Sequence, residues 1–312
     1  MTLIRFIRNI ALFLLPVLAS IPLLRVENGF AWRFVKGDCY AHGAWLLNRL
    51  NTCPEPADVV FAGSSRTIHA VWERSVEDSL SINYDKKLRL LNLGYCRFGN
   101  NLPYAIIKEA LKTKRPGTIV WEVRETEDCC SHPLFGYVAD GEDVWLPAVF
   151  PHKRILADWW HAATIRVEYG QYVLFGDKNA EMEVDTSLYG YGSEPGVADK
   201  AALERIGAKK RRHPESDVDK GPPPEFPRTY IEKAADMARS AGARFVFLYV
   251  PEYGSVRAYP RYLSYYQTLG PVWLPPPEVL DEPANWMDAS HLNDRGAAAL
   301  SGWLAGCIAE LK

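Results

Sequence analysis

Hydrophobic positions fall into three regimes along the chain. Leu3 to Leu24 is apolar apart from Arg5, Arg8, Asn9 and Ser20, and carries no charge from Ile10 onward. Between Val59 and Val123, short apolar runs alternate with helical patterns. Val59-Val60-Phe61-Ala62, Leu88 to Gly94 and Thr118 to Val123 predict buried strands. Thr67–Leu80 and Leu102–Lys114 read as helices, the second with Leu102, Ile106, Ile107, Ala110 and Leu111 on one face. Strand, helix, strand, helix, strand at this spacing predicts parallel pairing with right-handed crossovers. The pattern returns with a helix over Thr229–Ala241, its Tyr230, Ala234, Met237 and Ala238 inward and Gly242 ending it. A strand over Arg244–Val250 and a last helix over Asp294–Leu311, capped by Asp294, complete it.

The repeat is absent from 124 to about 225. His152–Phe175 predicts a helix rich in Trp159, Trp160, Tyr169 and Tyr172, and 177–225 is polar and Gly-rich. The basic run Lys209-Lys210-Arg211-Arg212 reads as a solvated face, with contact to anionic glycan or lipid headgroups as the alternative. The expected organisation is a membrane anchor or signal over 1–27 and a linker with a short helix near Ala41–Leu50 over 28–56. An α/β domain follows over 57–312, with a partly mobile insertion or lid at about 126–228.

The first segment is long enough to cross a bilayer if its arginines reach the interface. Pro16 and Pro22 suit a membrane helix better than a soluble one. Ile10–Leu24 also fits a signal-peptide core, but Leu18-Ala19-Ser20 is a poor cleavage site, so an uncleaved anchor is preferred. The early arginines place the N-terminus inside. The expected location is the inner (cytoplasmic) membrane, single-pass, with the C-terminal domain extracytoplasmic (periplasmic).

With 312 residues and a net charge of -2, the chain has no polyanion-binding character, and no nucleic-acid partner is expected. The six cysteines, at 39, 53, 96, 129, 130 and 307, show no metal-ligand spacing. No metal and no cofactor are expected. Cys39 with Cys53 is the favoured disulfide in an oxidising compartment.

Candidate chemistry sits at both ends of the α/β region. After the first strand comes Gly63-Ser64-Ser65, a turn that opens a helix at the carboxyl end of a strand, where open α/β sheets bind ligands. Either serine could instead cap that helix. Before the last helix stands Asp288-Ala289-Ser290-His291-Leu292-Asn293. A histidine steadied by a carboxylate can act as general base toward a serine.

Gly63-Ser64-Ser65, Asn92-Leu93-Gly94 after the next strand, and Asp288-x-x-His291-Leu292-Asn293 followed by Gly296 together resemble the SGNH/GDSL hydrolase superfamily. The likeness covers about 57–125 and 229–311. The Ser-Ser variant behind an N-terminal anchor is similar to the cell-envelope branch. That branch includes a teichoic-acid D-alanyl transfer protein and partners of membrane-bound O-acyltransferases. The resemblance implies a flavodoxin-like three-layer α/β/α sandwich on a parallel sheet. It implies Ser65 as nucleophile, His291 as general base and Asp288 as its orienter. Ser64 stands where the family has Asp. For the oxyanion and substrate it points to Gly94, with Gly99 the nearest glycine to the family's oxyanion position, where Arg97 stands. The family's Asn after the third strand is missing from Trp121-Glu122-Val123-Arg124-Glu125, so Asn100 or Asn101 is the candidate donor beside the Ser65 N–H. The implied activity is a serine acyl esterase or O-acyltransferase on acylated cell-envelope glycan or a related ester, with the membrane, a glycan or other polysaccharide and a multispanning acyltransferase as partners. The alternative is a non-catalytic membrane-tethered subunit or glycan-binding module.

Overall fold

The computed structural model describes residues 3–26, 30–34, 42–53, 55–97, 99–125, 130–176, 189–212 and 221–311. The apolar N-terminal block forms a helix over Leu3–Ser20 and a 3-10 turn over Ile21–Leu23. Together they are long and apolar enough to cross a membrane, with mean hydropathy 1.9, and none of their described side chains is buried.

Five parallel strands make the sheet among the described residues: β1 Val59–Ala62, β2 Leu90–Asn92, β3 Thr118–Glu122, β4 Arg244–Leu248 and β5 Val272–Trp273, in the order β2-β1-β3-β4-β5. Side-chain alternation splits each strand between two cores. Ile119, Trp121, Phe245 and Phe247 pack with Tyr104 and Ile107 of the Asn101–Thr113 helix and with Tyr230 and Ala234 of the Glu225–Ser240 helix. Val120, Val246 and Leu248 pack with Val76 and Leu80 of the Glu73–Tyr84 helix and with Leu300 and Leu304 of the Asp294–Glu310 helix. A sheet covered on both faces explains why its strands read as unbroken apolar runs. Truncating Trp121 or Trp286, both essentially inaccessible, would cost about 3–5 kcal/mol each. Strand order reverses at β1, which opens a crevice at its carboxyl end.

Several expectations shift. The helix expected over Thr67–Leu80 is two helices, Ser65–Ala70 and Glu73–Tyr84. Val71 and Trp72 between them are extended; the Val71 carbonyl accepts from Asn92 Nδ2 at 2.8 Å and the Trp72 N–H donates to Ser301 Oγ at 3.1 Å. Asp294 does not cap the last helix. Asn293 does, accepting from the Gly296 N–H at 3.1 Å. Within the polar, Gly-rich stretch 177–225, for which no element was expected, a helix forms over Lys200–Arg212. The disulfide expectation also fails: Cys53 is a free thiol, while Cys96 is disulfide-bonded. Cys39 lies outside the described residues.

Candidate active site

The turn after β1 divides two tasks between adjacent serines. Ser64 is fully committed to structure. Its Oγ accepts from the Arg66 N–H at 3.2 Å, capping the Ser65–Ala70 helix. Its N–H and O–H both donate to Glu122 at the end of β3, at 2.6 Å and 2.8 Å. Thr67 Oγ1 donates to the same carboxylate at 2.6 Å. Glu122 is 3 % exposed, and these donors satisfy the carboxyl oxygens that burial takes from water. Gly63 allows the close approach: a Cβ there would lie 2.1 Å from Thr67 Oγ1 and 2.4 Å from Glu122 Oε2.

Ser65 stands outside this network. Its Oγ lies 2.9 Å from His291 Nε2. His291 Nδ1 lies 2.9 Å from Asp288 Oδ2 and 3.1 Å from Oδ1. The expected trio therefore meets across 226 positions of sequence. A short loop holds the pair. Asp288 Oδ1 accepts from the Ser290 N–H at 2.6 Å and the His291 N–H at 2.8 Å. Trp286 and Leu292 form an antiparallel bridge at the loop base. Burial works to raise the Asp288 carboxyl, but the hydrogen bonds from the His291 ring and both N–H groups outweigh it and hold it below the usual carboxylate range. An ionised Asp288 keeps the proton on Nδ1, so Nε2 presents its lone pair to the Ser65 hydroxyl.

A cavity of about 430 Å³ opens beside this trio, lined by His42, Ser65, Ile68, His69, Cys96, Arg97 and His291. The four oxyanion candidates do not line it. The Gly94 N–H donates to Asn92 Oδ1 at 3.0 Å, and Asn92 Nδ2 holds the carbonyls of Thr67 and Val71. Asn101 is used as a seam: Nδ2 donates to Ser131 Oγ at 2.6 Å and Oδ1 accepts from the His132 N–H at 2.9 Å. Gly99 packs on the same seam, where a Cβ would fall 2.4 Å from His132 N. Asn100 is buried at the start of the Asn101–Thr113 helix without a side-chain cap bond. The seam carries the loop that does line the cavity. Burial lowers the His132 imidazole to about 4. Its neutral ring donates from Nε2 to the Cys96 carbonyl at 2.8 Å and accepts at Nδ1 from the Leu134 N–H at 3.1 Å. The Ser65 N–H, in the first turn of its helix, stands among the donors that helices leave unpaired.

Two further groups escaped the sequence reading. His69 follows Ser65 by four residues, hence one helical turn along the same face, which was the available signal. Its Nδ1 meets the Gly192 carbonyl at 2.9 Å, and its ring stands edge-on to His291 with centroids 5.3 Å apart. Glu73 is the second. Its inaccessible carboxyl accepts from the N–H groups of Asn92, Gly190 and Tyr191 at 2.9, 2.7 and 3.2 Å. Burial pushes it up to about 7 against the pull of these donors. With the bond from Tyr191 Oη to Asp294 Oδ1 at 2.7 Å, Glu73 ties residues 190–191 of the insertion to β2 and the last helix.

Among the described residues, the one carboxylate cluster close enough for a cation is Asp140, Glu142 and Asp143. Lys108 Nζ already sits among them, at 2.7, 3.0 and 2.7 Å.

What these features define is an α/β domain on an all-parallel five-stranded sheet, with a serine–histidine–aspartate constellation at the sheet's switch point. No protein-family model matches the chain, and the search of curated proteins found no match.

Proposed function

We propose that this chain is a membrane-anchored, extracytoplasmic serine acyl esterase or O-acyltransferase of the SGNH kind, acting on acylated cell-envelope glycan or a related ester. The observation that carries it is the pair of contacts at 2.9 Å linking Ser65 Oγ to His291 and His291 to Asp288. The strand order β2-β1-β3-β4-β5 with helices on both faces supports the flavodoxin-like arrangement.

In this reading Ser65 Oγ attacks the ester carbonyl carbon while its proton passes to His291 Nε2. Negative charge gathers on the carbonyl oxygen, toward the Ser65 N–H. Collapse breaks the bond to the leaving alkoxide, which takes the proton from His291. Water or a sugar hydroxyl then attacks the acyl-Ser65 ester and gives its proton to His291; the bond from the acyl carbon to Ser65 Oγ breaks as that oxygen takes the proton back from His291. A multispanning acyltransferase is the proposed acyl donor in the transfer version.

A second reading, a tethered glycan-binding subunit without turnover, draws on the oxyanion side: the Gly94 N–H is occupied and Asn101 is spent on the seam. One experiment separates the two. Full-length protein in detergent is treated with a fluorophosphonate and, separately, with an acetyl ester. The enzyme reading expects labelling at Ser65 and turnover, both abolished in Ser65→Ala. Equal turnover by wild type and Ser65→Ala removes Ser65 from the chemistry, and an unlabelled, inactive wild type leaves the binding module.

A further inference from the structure

The Ile155–Phe175 helix is built inside out. Its Asp158 and Arg166 are buried, at 2 % and 5 % exposure, whereas Leu156, Trp160, Leu174 and Phe175 are 74 %, 72 %, 73 % and 86 % exposed. At about 100° per residue, Leu156, Trp160, Ala163, Val167 and Leu174 fall within a strip roughly 60° wide. The strip lies opposite the buried Ile155, Asp158, Ala162 and Ile165. Within the helix, its polar neighbours are Thr164, whose hydroxyl is turned back to the Trp160 carbonyl, and Gln171. A helix facing water carries charged and polar side chains on its outer face; this one carries an apolar strip there and buries Asp158 and Arg166 on the other.

What covers the strip follows from the helix's neighbour. The Ile21–Leu23 turn, which continues the membrane-length Leu3–Ser20 helix, packs against Ile155–Phe175. Just beyond it, the Phe30 ring sits 5.1 Å from Tyr169 and 5.2 Å from Tyr172. Leu146, 82 % exposed, lines the same cleft as Leu23 and Arg25. A bilayer that takes up Leu3–Leu23 therefore has its surface within a few residues of this helix. We propose that the Leu156–Leu174 strip lies in the interfacial layer of that bilayer, a second membrane contact that fixes how the domain is oriented on its anchor. Apolar strips with an aromatic residue suit that layer, where acyl chains meet headgroups.

The test uses full-length protein in lipid nanodiscs containing no other protein. The photo-crosslinking residue p-benzoylphenylalanine replaces Leu156, Trp160, Val167 or Leu174, and as controls Ile82 or Gly302, which are also exposed. Circular dichroism checks each fold, and mass spectrometry counts lipid adducts after irradiation. The expected result is several-fold more adduct at the four strip positions than at the controls. Adduct at control level, or crosslinks to a second copy of the chain instead, overturns the proposal. A second measurement needs no bulky insertion: the emission lost in Trp160→Phe should be the part quenched by brominated acyl chains, and no quenching of that part also overturns it.

Discussion

Removing Glu122 tests whether the elbow depends on a neighbouring strand. Its carboxylate takes bonds from the Ser64 N–H, the Ser64 hydroxyl and the Thr67 hydroxyl, at 2.6 to 2.8 Å. Glu122→Ala leaves three buried donors without their acceptor, at about 1–3 kcal/mol each. Part of that loss is recovered as the turn relaxes, so we expect about 3–5 kcal/mol. For a domain of this size the thermal midpoint then falls on the order of 10 °C. Glu122→Gln keeps an oxygen acceptor, and its amide can donate back to Ser64 Oγ. It loses only the charge assistance, about 1–2 kcal/mol. The assay is thermal unfolding by tryptophan fluorescence in detergent, beside the rate of fluorophosphonate labelling. A displacement of Ser65 by about 1 Å can cost ~10²-fold in rate, so labelling should slow strongly in Glu122→Ala and mildly in Glu122→Gln. A Glu122→Ala protein with wild-type midpoint and wild-type labelling would refute the argument.

Two other expectations follow. Asp288→Asn keeps the loop's shape but loses the anion that holds the Nδ1 proton, and acetyl-ester turnover should fall by about 10³–10⁴-fold with little change in thermal midpoint. Glu73 bears on pH: burial lifts its folded value to about 7, above the ordinary carboxyl value of 4.5, so the native state holds a proton that the unfolded chain gives up across that window. Its contribution is fully present below about pH 4.5 and is lost as pH rises to 7, by about 3 kcal/mol. Wild type minus Glu73→Gln stability, measured by thermal unfolding from pH 4.5 to 7.5, should therefore decline; a flat difference contradicts the buried-acid account.

The strands that bear the site were legible because burial on both faces leaves unbroken apolar runs, as in Val59–Ala62 and Thr118–Glu122. Ser65, Asp288 and His291 were legible because each stands beside a turn signal at an element boundary. What escaped depends on tertiary partners. The break at Val71 exists because Asn92 reaches across from β2 to take its carbonyl, which no local pattern encodes. Asn293 rather than Asp294 caps the last helix because Asp294 is drawn to Tyr191, Ser193 and Glu194 of the insertion. The donor residues sought near Gly99 and Asn101 were spent on Ser131 and His132, and that seam joins segments with no shared periodicity. β5, with two residues, is too short to leave a pattern.

The Ser64–Glu122 clamp also ties chemistry to assembly. β1 and β3 meet with Ala62 opposite Trp121, which sets Glu122, the last residue of β3, one position beyond the end of β1 and beneath the turn. If β3 paired one position out of step, its side chains would change faces and the carboxylate would leave the serine it steadies. A chain whose sheet has annealed wrongly would thus present no poised hydroxyl, so reactivity at residue 65 doubles as a readout of correct strand alignment.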